Sequence, residues 1–186
     1  MIEAGQQKIF TPYAALTLGV PLVGLGVALG LGSMLALNYV HVLTGGTWTG
    51  IDLFMGLVMS RVLKGLDPVA RTMVLKRLVP VMLFLMPALA TAAITSGVTM
   101  AGHLGMFASP SWAIIAAIVL VSILTVQGFG ILLPTEAIIF LELRKKEPNR
   151  DKIIRLGMRN VKLAGTQGAA QIVLIFVMAN LALGVR

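Results

Sequence analysis

Three side chains in one largely apolar stretch, His41, Trp48 and Asp52, are the best placed in this sequence to do chemistry. Their spacing of i, i+7 and i+11 puts them on a single face of an α-helix. An imidazole can ligate haem iron or copper, a carboxylate can carry a proton, and an indole can form the wall of a site. Glycines on the same stretch, such as Gly45 and Gly56, would let a neighbouring helix approach closely. The pattern predicts a polar face that points into a helical bundle.

The two histidines of the chain, His41 and His103, fall at similar predicted heights. Counted from the same side of the membrane at 1.5 Å per residue, they differ by only about 5 Å and lie near the outer leaflet. Met100 lies at a similar depth. Two imidazoles can hold one haem b, and an imidazole with a thioether can hold copper. The alternative is that His41 hydrogen-bonds a backbone carbonyl and that His103 is an ordinary interfacial residue.

A second group of polar residues interrupts the apolar stretches nearer the inner side: Asp52, Glu136, Gln167 and Gln171. An ionisable group inside a bilayer costs ~2.5–3.5 kcal/mol on insertion scales, so such a group is usually paired or lies in a wet cavity. One interpretation is a path for protons or cations, or a site for a quinone headgroup. The other is a structural ion pair and amide network that ties the second, fourth and fifth helices together. Both interpretations remain open on the sequence.

The composition requires that these residues be held by membrane-spanning helices. Hydrophobic residues make up 58% of the chain and charged residues 12%, whereas an ordinary soluble domain is about a quarter charged. So much apolar surface must face lipid. The chain has no cysteine, which excludes disulfides and Cys-ligated metal sites.

Five stretches are long enough, at about 20 residues or more, to cross a bilayer as helices. A turn at Gly30, Gly32 and Ser33 separates the first two, and Asp67-Pro68 begins a short helical piece in the loop before the third. The sequence therefore predicts an all-α, polytopic membrane bundle in one transmembrane domain over residues 1–186. The five predicted helices cover about 13–31, 33–63, 78–101, 111–143 and 151–184.

The basic residues predict how the chain is oriented. Of 15 Lys and Arg residues, 13 fall in two stretches, Arg61 to Arg77 and Arg144 to Lys162. Such clusters are typical of cytoplasmic loops near anionic lipid headgroups, so we expect the lipid bilayer, and no nucleic acid, as their partner. Five spans then place the N-terminus inside and the C-terminus outside the cytoplasmic membrane.

The stretch from His41 to Gly50, with the letters HVLTGGTWTG, resembles a helix of the CopD-like (copper-resistance D related) membrane proteins. The similarity continues from Arg71 to Thr99, through a basic loop and a proline-containing helix that ends in Thr-Ser-Gly. It covers residues 34–101, and the later helices are similar only in layout. The stretch also resembles, more distantly, the HemJ-type protoporphyrinogen oxidases, which are relatives of the CopD-like proteins. The resemblance implies a helical bundle in the cytoplasmic membrane that handles copper or haem, with His41 as a ligand.

Three functions follow as expectations. The first is a protein that binds haem or copper near the outer leaflet, with His41 and His103 or Met100 as ligands and Trp48 beside them. The second is a non-catalytic subunit of a larger, respiratory-type membrane complex with partner subunits, since the chain is small and poor in catalytic groups. The third is a small proton-coupled carrier that uses Asp52 and Glu136. The sequence has no phosphate-binding loop, HExxH or GxSxG motif, which favours a chain that is not an enzyme on its own.

Overall fold

The computed structural model describes residues 12–182, and this part of the chain is helical apart from short connections. All five helices are long and apolar enough to cross a membrane. This confirms the predicted all-α bundle of five candidate spans. The helices are α1 (Pro12–Leu31), α2 (Met34–Gly65), α3 (Pro68–His103), α4 (Trp112–Leu143) and α5 (Arg150–Ala182).

The turn between α1 and α2 lies where the sequence predicted it. Gly32 has a φ of +58°, in the left-handed region that a residue without Cβ adopts at little cost. Ser33 follows as the N-cap of α2, and its hydroxyl accepts a hydrogen bond from the Ala36 amide at 3.3 Å. The two apolar stretches are therefore separate helices joined by a tight turn.

The helix α3 begins at Pro68, whereas the sequence predicted a loop followed by a helix from residue 78. Asp67 is the N-cap, and its carboxylate accepts hydrogen bonds from the amides of Val69 and Ala70 at 2.8 and 3.1 Å. These hydrogen bonds stabilise the charged carboxylate and lower the pKa of Asp67 below its usual value, and the bond from the Ala70 amide has the largest effect. Proline fits the first helical turn because its missing N–H is not needed there. No helix-breaking residue follows before the apolar span, so the short predicted helix and the span are continuous.

Arg71 closes the connection between α2 and α3. Its guanidinium donates to the carbonyls of Leu63, Lys64 and Leu66 at 2.6, 3.1 and 2.8 Å. These are carbonyls at the end of α2, which have no partner within the helix itself. Arg71 therefore links the end of one helix to the start of the next and fixes the sharp reversal between them.

Two helices contain a wide turn of π-helix. In α2 it covers Met55–Met59, and in α4 it covers Gly128–Leu132. Pro134 follows the second π segment within the same helix. Such single π turns are rare and are frequently found at functional sites.

Helices α2, α3 and α5 pack against one another, with α1 against α2 and α3, and α4 against α3 and α5. The closest approach is between α2 and α5. A Cβ added to Gly56 would lie 2.2 Å from the Cα of Gly165, and one added to Gly165 would lie 2.7 Å from the Cα of Gly56. The obstacle is backbone, which cannot rotate away as a side chain could. Only glycine at both positions allows this contact.

We expect Gly56→Ala to lower the stability of the bundle by about 1–3 kcal/mol, because the added methyl group forces the α2 and α5 backbones apart. The measurement is thermal unfolding of the purified variant in mild detergent. Gly46→Ala is the matched control, since Gly46 lies on the same helix and an added Cβ there meets nothing within 4 Å. Equal melting temperatures for the two variants would contradict the close contact.

Candidate functional site

A cluster of buried and half-buried polar side chains lies between α2, α3, α4 and α5. Asp52 of α2 and Glu136 of α4 line one cavity of about 60 Å³ together with Gln167 and Asn160 of α5. The two carboxyl groups are close enough to interact electrostatically. A cavity of this volume with several polar groups can hold ordered water. The arrangement places two acidic groups from different helices against the same small cavity, whose wall is otherwise mostly apolar.

Asp52 is almost completely buried, with 1% of its surface exposed. Its carboxylate faces the side chains of Gln167, Gln171 and Trp48. Ion pairs in the part of the chain that the structure describes are those of Glu142 with two lysines, away from this cluster. Asp52 therefore faces amides and an indole rather than cations, and Glu136 is half-buried at the wall of the same cavity. Among the described residues, Asp52 has the amide contacts of the structural interpretation but not its ion pair.

Several buried polar atoms of the cluster have no hydrogen-bond partner among residues 12–182. They are Asp52 Oδ2, Asn160 Oδ1, Gln167 Oε1 and both polar atoms of the Gln171 amide. An unsatisfied buried polar atom costs about 1–3 kcal/mol, so native structures contain few of them. A network whose only role was to hold helices together would be expected to satisfy its own members. The open atoms make this cluster suitable for binding something polar.

Polar bonds from α5 hold the π segment of α4 that precedes Glu136. The Asn160 amide donates to the Leu132 carbonyl at 3.1 Å, and the Arg159 guanidinium donates to the Thr135 hydroxyl at 2.7 Å. One turn away, the Gln127 amide donates to the Leu163 carbonyl at 2.9 Å. These bonds fix the position of α4 along α5 and therefore fix where Glu136 meets Asp52.

His41 lies at a second, larger cavity of about 310 Å³, between α2, α3, α4 and α5. Its Nδ1 lies 2.8 Å from the Ala93 carbonyl, and since a carbonyl only accepts, Nδ1 carries the hydrogen and donates it. The ring lies directly over Gly97, where an added Cβ would come within 2.7 Å of His41 Cε1. In the neutral imidazole this leaves Nε2 as an acceptor. The predicted hydrogen bond from His41 to a backbone carbonyl is present.

The predicted site residues fall into two groups. His41, Trp48 and Gln171 line the larger cavity, and Trp48 also lines the smaller one that holds both carboxylates. His103 lies exposed at the end of α3, and it lines neither cavity. Met100 is half-buried and also lies outside both. Within the described residues, no group of three or more His, Asp or Glu side chains is arranged to hold a metal ion.

Asn160 belongs to the cluster but was not among the predicted site residues. Asn160, Gln167 and Gln171 have the spacing i, i+7 and i+11, the same as that of His41, Trp48 and Asp52 on α2. This spacing places them on one face of α5 and could have identified Asn160. The basic composition of residues 144–162 obscured it, because a polar residue next to a basic loop is normally solvated.

The chain was compared with protein-family models, with curated proteins and with solved structures, and no match was found. The resemblance of residues 34–101 to the CopD-like proteins therefore stays a prediction.

Proposed function

We propose that this chain is a membrane protein that takes up and releases a proton at the Asp52–Glu136 pair, as a small proton-coupled carrier. One observation carries the proposal: carboxyl groups from two helices line one buried cavity and neither has a cationic partner in the described part of the chain. Two negative charges at one small cavity in an apolar interior repel each other. A proton bound by either carboxyl group removes one of those charges, and the amides of Gln167 and Gln171 can orient it or a water that carries it.

The position of the pair along the helices supports this role. Asp52 is 13 residues from Gly65, the inner end of α2, which corresponds to about 20 Å. The carboxylate thus lies deep in the span, where an ionisable side chain normally has a function. The π segment Met55–Met59 begins three residues after Asp52, and Gly128–Leu132 ends four residues before Glu136. Both carboxylates therefore lie next to a turn whose hydrogen-bond pattern differs from that of the helix around it.

We expect the full chain in proteoliposomes to conduct protons under an imposed potential, and Asp52→Asn or Glu136→Gln to reduce the flux at least tenfold. Each amide keeps the shape of the side chain but cannot bind and release the proton. The measurement is the fluorescence of a pH-sensitive dye trapped in the vesicles. Glu147→Gln is the matched control, because Glu147 is an exposed carboxylate in the connection before α5.

Thermal unfolding of the same variants separates this role from a structural one. Removing an unpaired buried charge relieves a desolvation cost, so we expect Asp52→Asn to melt at or above the temperature of the unmodified protein. If the Asp52→Asn variant melts at a far lower temperature but conducts protons normally, Asp52 belongs to the structural network instead. Absence of flux from the unmodified chain would overturn the carrier proposal.

A second candidate function is the binding of haem or copper through His41, and a specific contact favours it. A histidine that ligates a metal usually donates its other ring N–H to a carbonyl or carboxylate, which fixes the tautomer. His41 makes such a bond to Ala93, and Nε2 is the nitrogen left for a ligand. A copper site would need further ligands, and a haem would need room beside the ring.

For the second candidate we expect a Soret band, or copper in stoichiometric amount, in protein purified in mild detergent. The cofactor should be lost in His41→Ala and kept in His103→Ala if His41 is the principal ligand. A reduced-minus-oxidised visible spectrum and elemental mass spectrometry measure both. Colourless, metal-free protein would rule this function out.

The orientation of the chain is also proposed from its charges. The connection between α2 and α3 and the connection between α4 and α5 each lie within one of the two basic stretches, so we place both in the cytoplasm. With five spans, the N-terminus is then inside and the C-terminus outside the cell membrane. The cysteine-free sequence permits a direct measurement with single introduced cysteines. In intact cells, a membrane-impermeant maleimide should label Ala108→Cys and leave Glu147→Cys unlabelled. The reverse pattern would invert the topology.

A further inference from the structure

The larger cavity has the size and the wall of a ligand site. Its volume of about 310 Å³ falls at the lower end of the range for small-molecule pockets, about 300–1,000 Å³. An apolar cavity of about 150 Å³ is already large enough for benzene. Besides Trp48, whose indole N–H faces Asp52, the wall is mostly apolar and carries four polar side chains, those of His41, Thr49, Ser122 and Gln171.

Two of these polar side chains are already satisfied within their own helices. The Thr49 hydroxyl donates to the Gly45 carbonyl at 2.9 Å, and the Ser122 hydroxyl donates to the Ile118 carbonyl at 2.8 Å. The other two have unused hydrogen-bonding capacity. His41 keeps Nε2 as an acceptor, since Nδ1 donates to Ala93. The cavity therefore presents its free hydrogen-bonding groups at two places, on α2 and on α5.

Gln171 is the second of these places. Only 2% of its surface is exposed, yet neither its Nε2 donor nor its Oε1 acceptor has a partner among the described residues. The amide lies at the wall of the larger cavity and also faces Asp52. The Gln171 Nε2 group carries two hydrogens, so with one of them turned toward Asp52 the buried amide still has a donor and an acceptor to offer a ligand.

The cavity also borders the lipid-facing surface. Residues of α3, α4 and α5 that line it, among them Val98, Ile118 and Ile175, are about half exposed on the outside of the bundle. An apolar tail attached to a bound ring can therefore leave the cavity into the bilayer. The exposed apolar surface suits a ligand that arrives from the membrane.

We propose that the larger cavity binds a membrane quinol, with one ring hydroxyl donating to His41 Nε2 and the other oxygen accepting from Gln171 Nε2. A hydrocarbon chain alone would leave the Gln171 amide unsatisfied, whereas a para-substituted ring carries oxygens at both ends. The oxidised quinone has acceptors only, so it can pair with Gln171 Nε2 but has no hydrogen to give His41 Nε2. The cavity accordingly selects the reduced form. This inference shares the Gln171 amide with the proposed proton site, but it does not require proton uptake at Asp52 and Glu136.

The test is equilibrium binding of a short-tailed benzoquinol and the matching benzoquinone to the full chain in lipid nanodiscs, under anaerobic conditions, by calorimetry. We expect the quinol to bind about tenfold more tightly, the ratio that one net hydrogen bond supplies. His41→Phe and Gln171→Leu keep the volume and remove the free polar groups, so each should weaken quinol binding about tenfold. Ser122→Ala is the matched control, because its hydroxyl is already bonded to its own helix.

A second readout locates the ligand. Trp48 lines the cavity, and Trp112 is the other tryptophan of the chain. In a Trp112→Phe background, quinone should therefore quench Trp48 fluorescence saturably, and quinol should reverse the quenching. Equal affinity for the two forms, or wild-type affinity in both His41→Phe and Gln171→Leu, would overturn the proposal. So would a tightly held phospholipid that quinol does not displace, or a haem found on His41.

Discussion

The contact between Gly56 and Gly165 is the constraint on which the rest of this bundle depends. With no Cβ on either residue, the backbones of α2 and α5 meet directly. A larger residue at this crossing would separate the two helices along much of their length. The polar faces of both helices would then separate. Their buried amides and carboxylate would face lipid, or would face each other across a longer distance. In an apolar interior, such groups are tolerated only while they lie together.

The two polar faces have the same spacing, and this determines how the cavities are stacked. His41, Trp48 and Asp52 on α2 lie opposite the Asn160, Gln167 and Gln171 face of α5. Trp48 forms part of the wall of both cavities, and Gln171 lines the larger one while facing Asp52. The indole and the amide thus separate the larger cavity from the smaller one, which both carboxylates line. One helix pair therefore lines two different cavities, because the α2 face carries His41 at one level and Asp52 at another.

Most of the fold could be predicted from the sequence because the bilayer imposes simple rules. Length and hydropathy predicted five helices, and Gly32 with Ser33 predicted the first turn. The continuity of α3 from Pro68 was missed, because a basic stretch was taken for a loop although it contains no helix breaker. In the site, the face shared by His41, Trp48 and Asp52 followed from periodicity. The meeting of Asp52 with Glu136 did not, because it depends on how α4 packs and on a π segment that no local pattern indicates.

The contrast between His41 and His103 shows why the residues of the larger cavity could not be assigned from their predicted depth in the membrane alone. Similar height along two helices says nothing about the direction in which a side chain points. His41 turns toward α3 and is fixed by the Ala93 carbonyl over Gly97, whereas His103 lies at the exposed end of its helix. Only one imidazole therefore reaches the cavity, and its polar counterpart there is the Gln171 amide. One acceptor nitrogen and one amide suit a neutral, hydrogen-bonding ring better than a metal ion, which needs several ligands of its own. A role as a subunit of a larger complex stays a prediction that is compatible with either ligand.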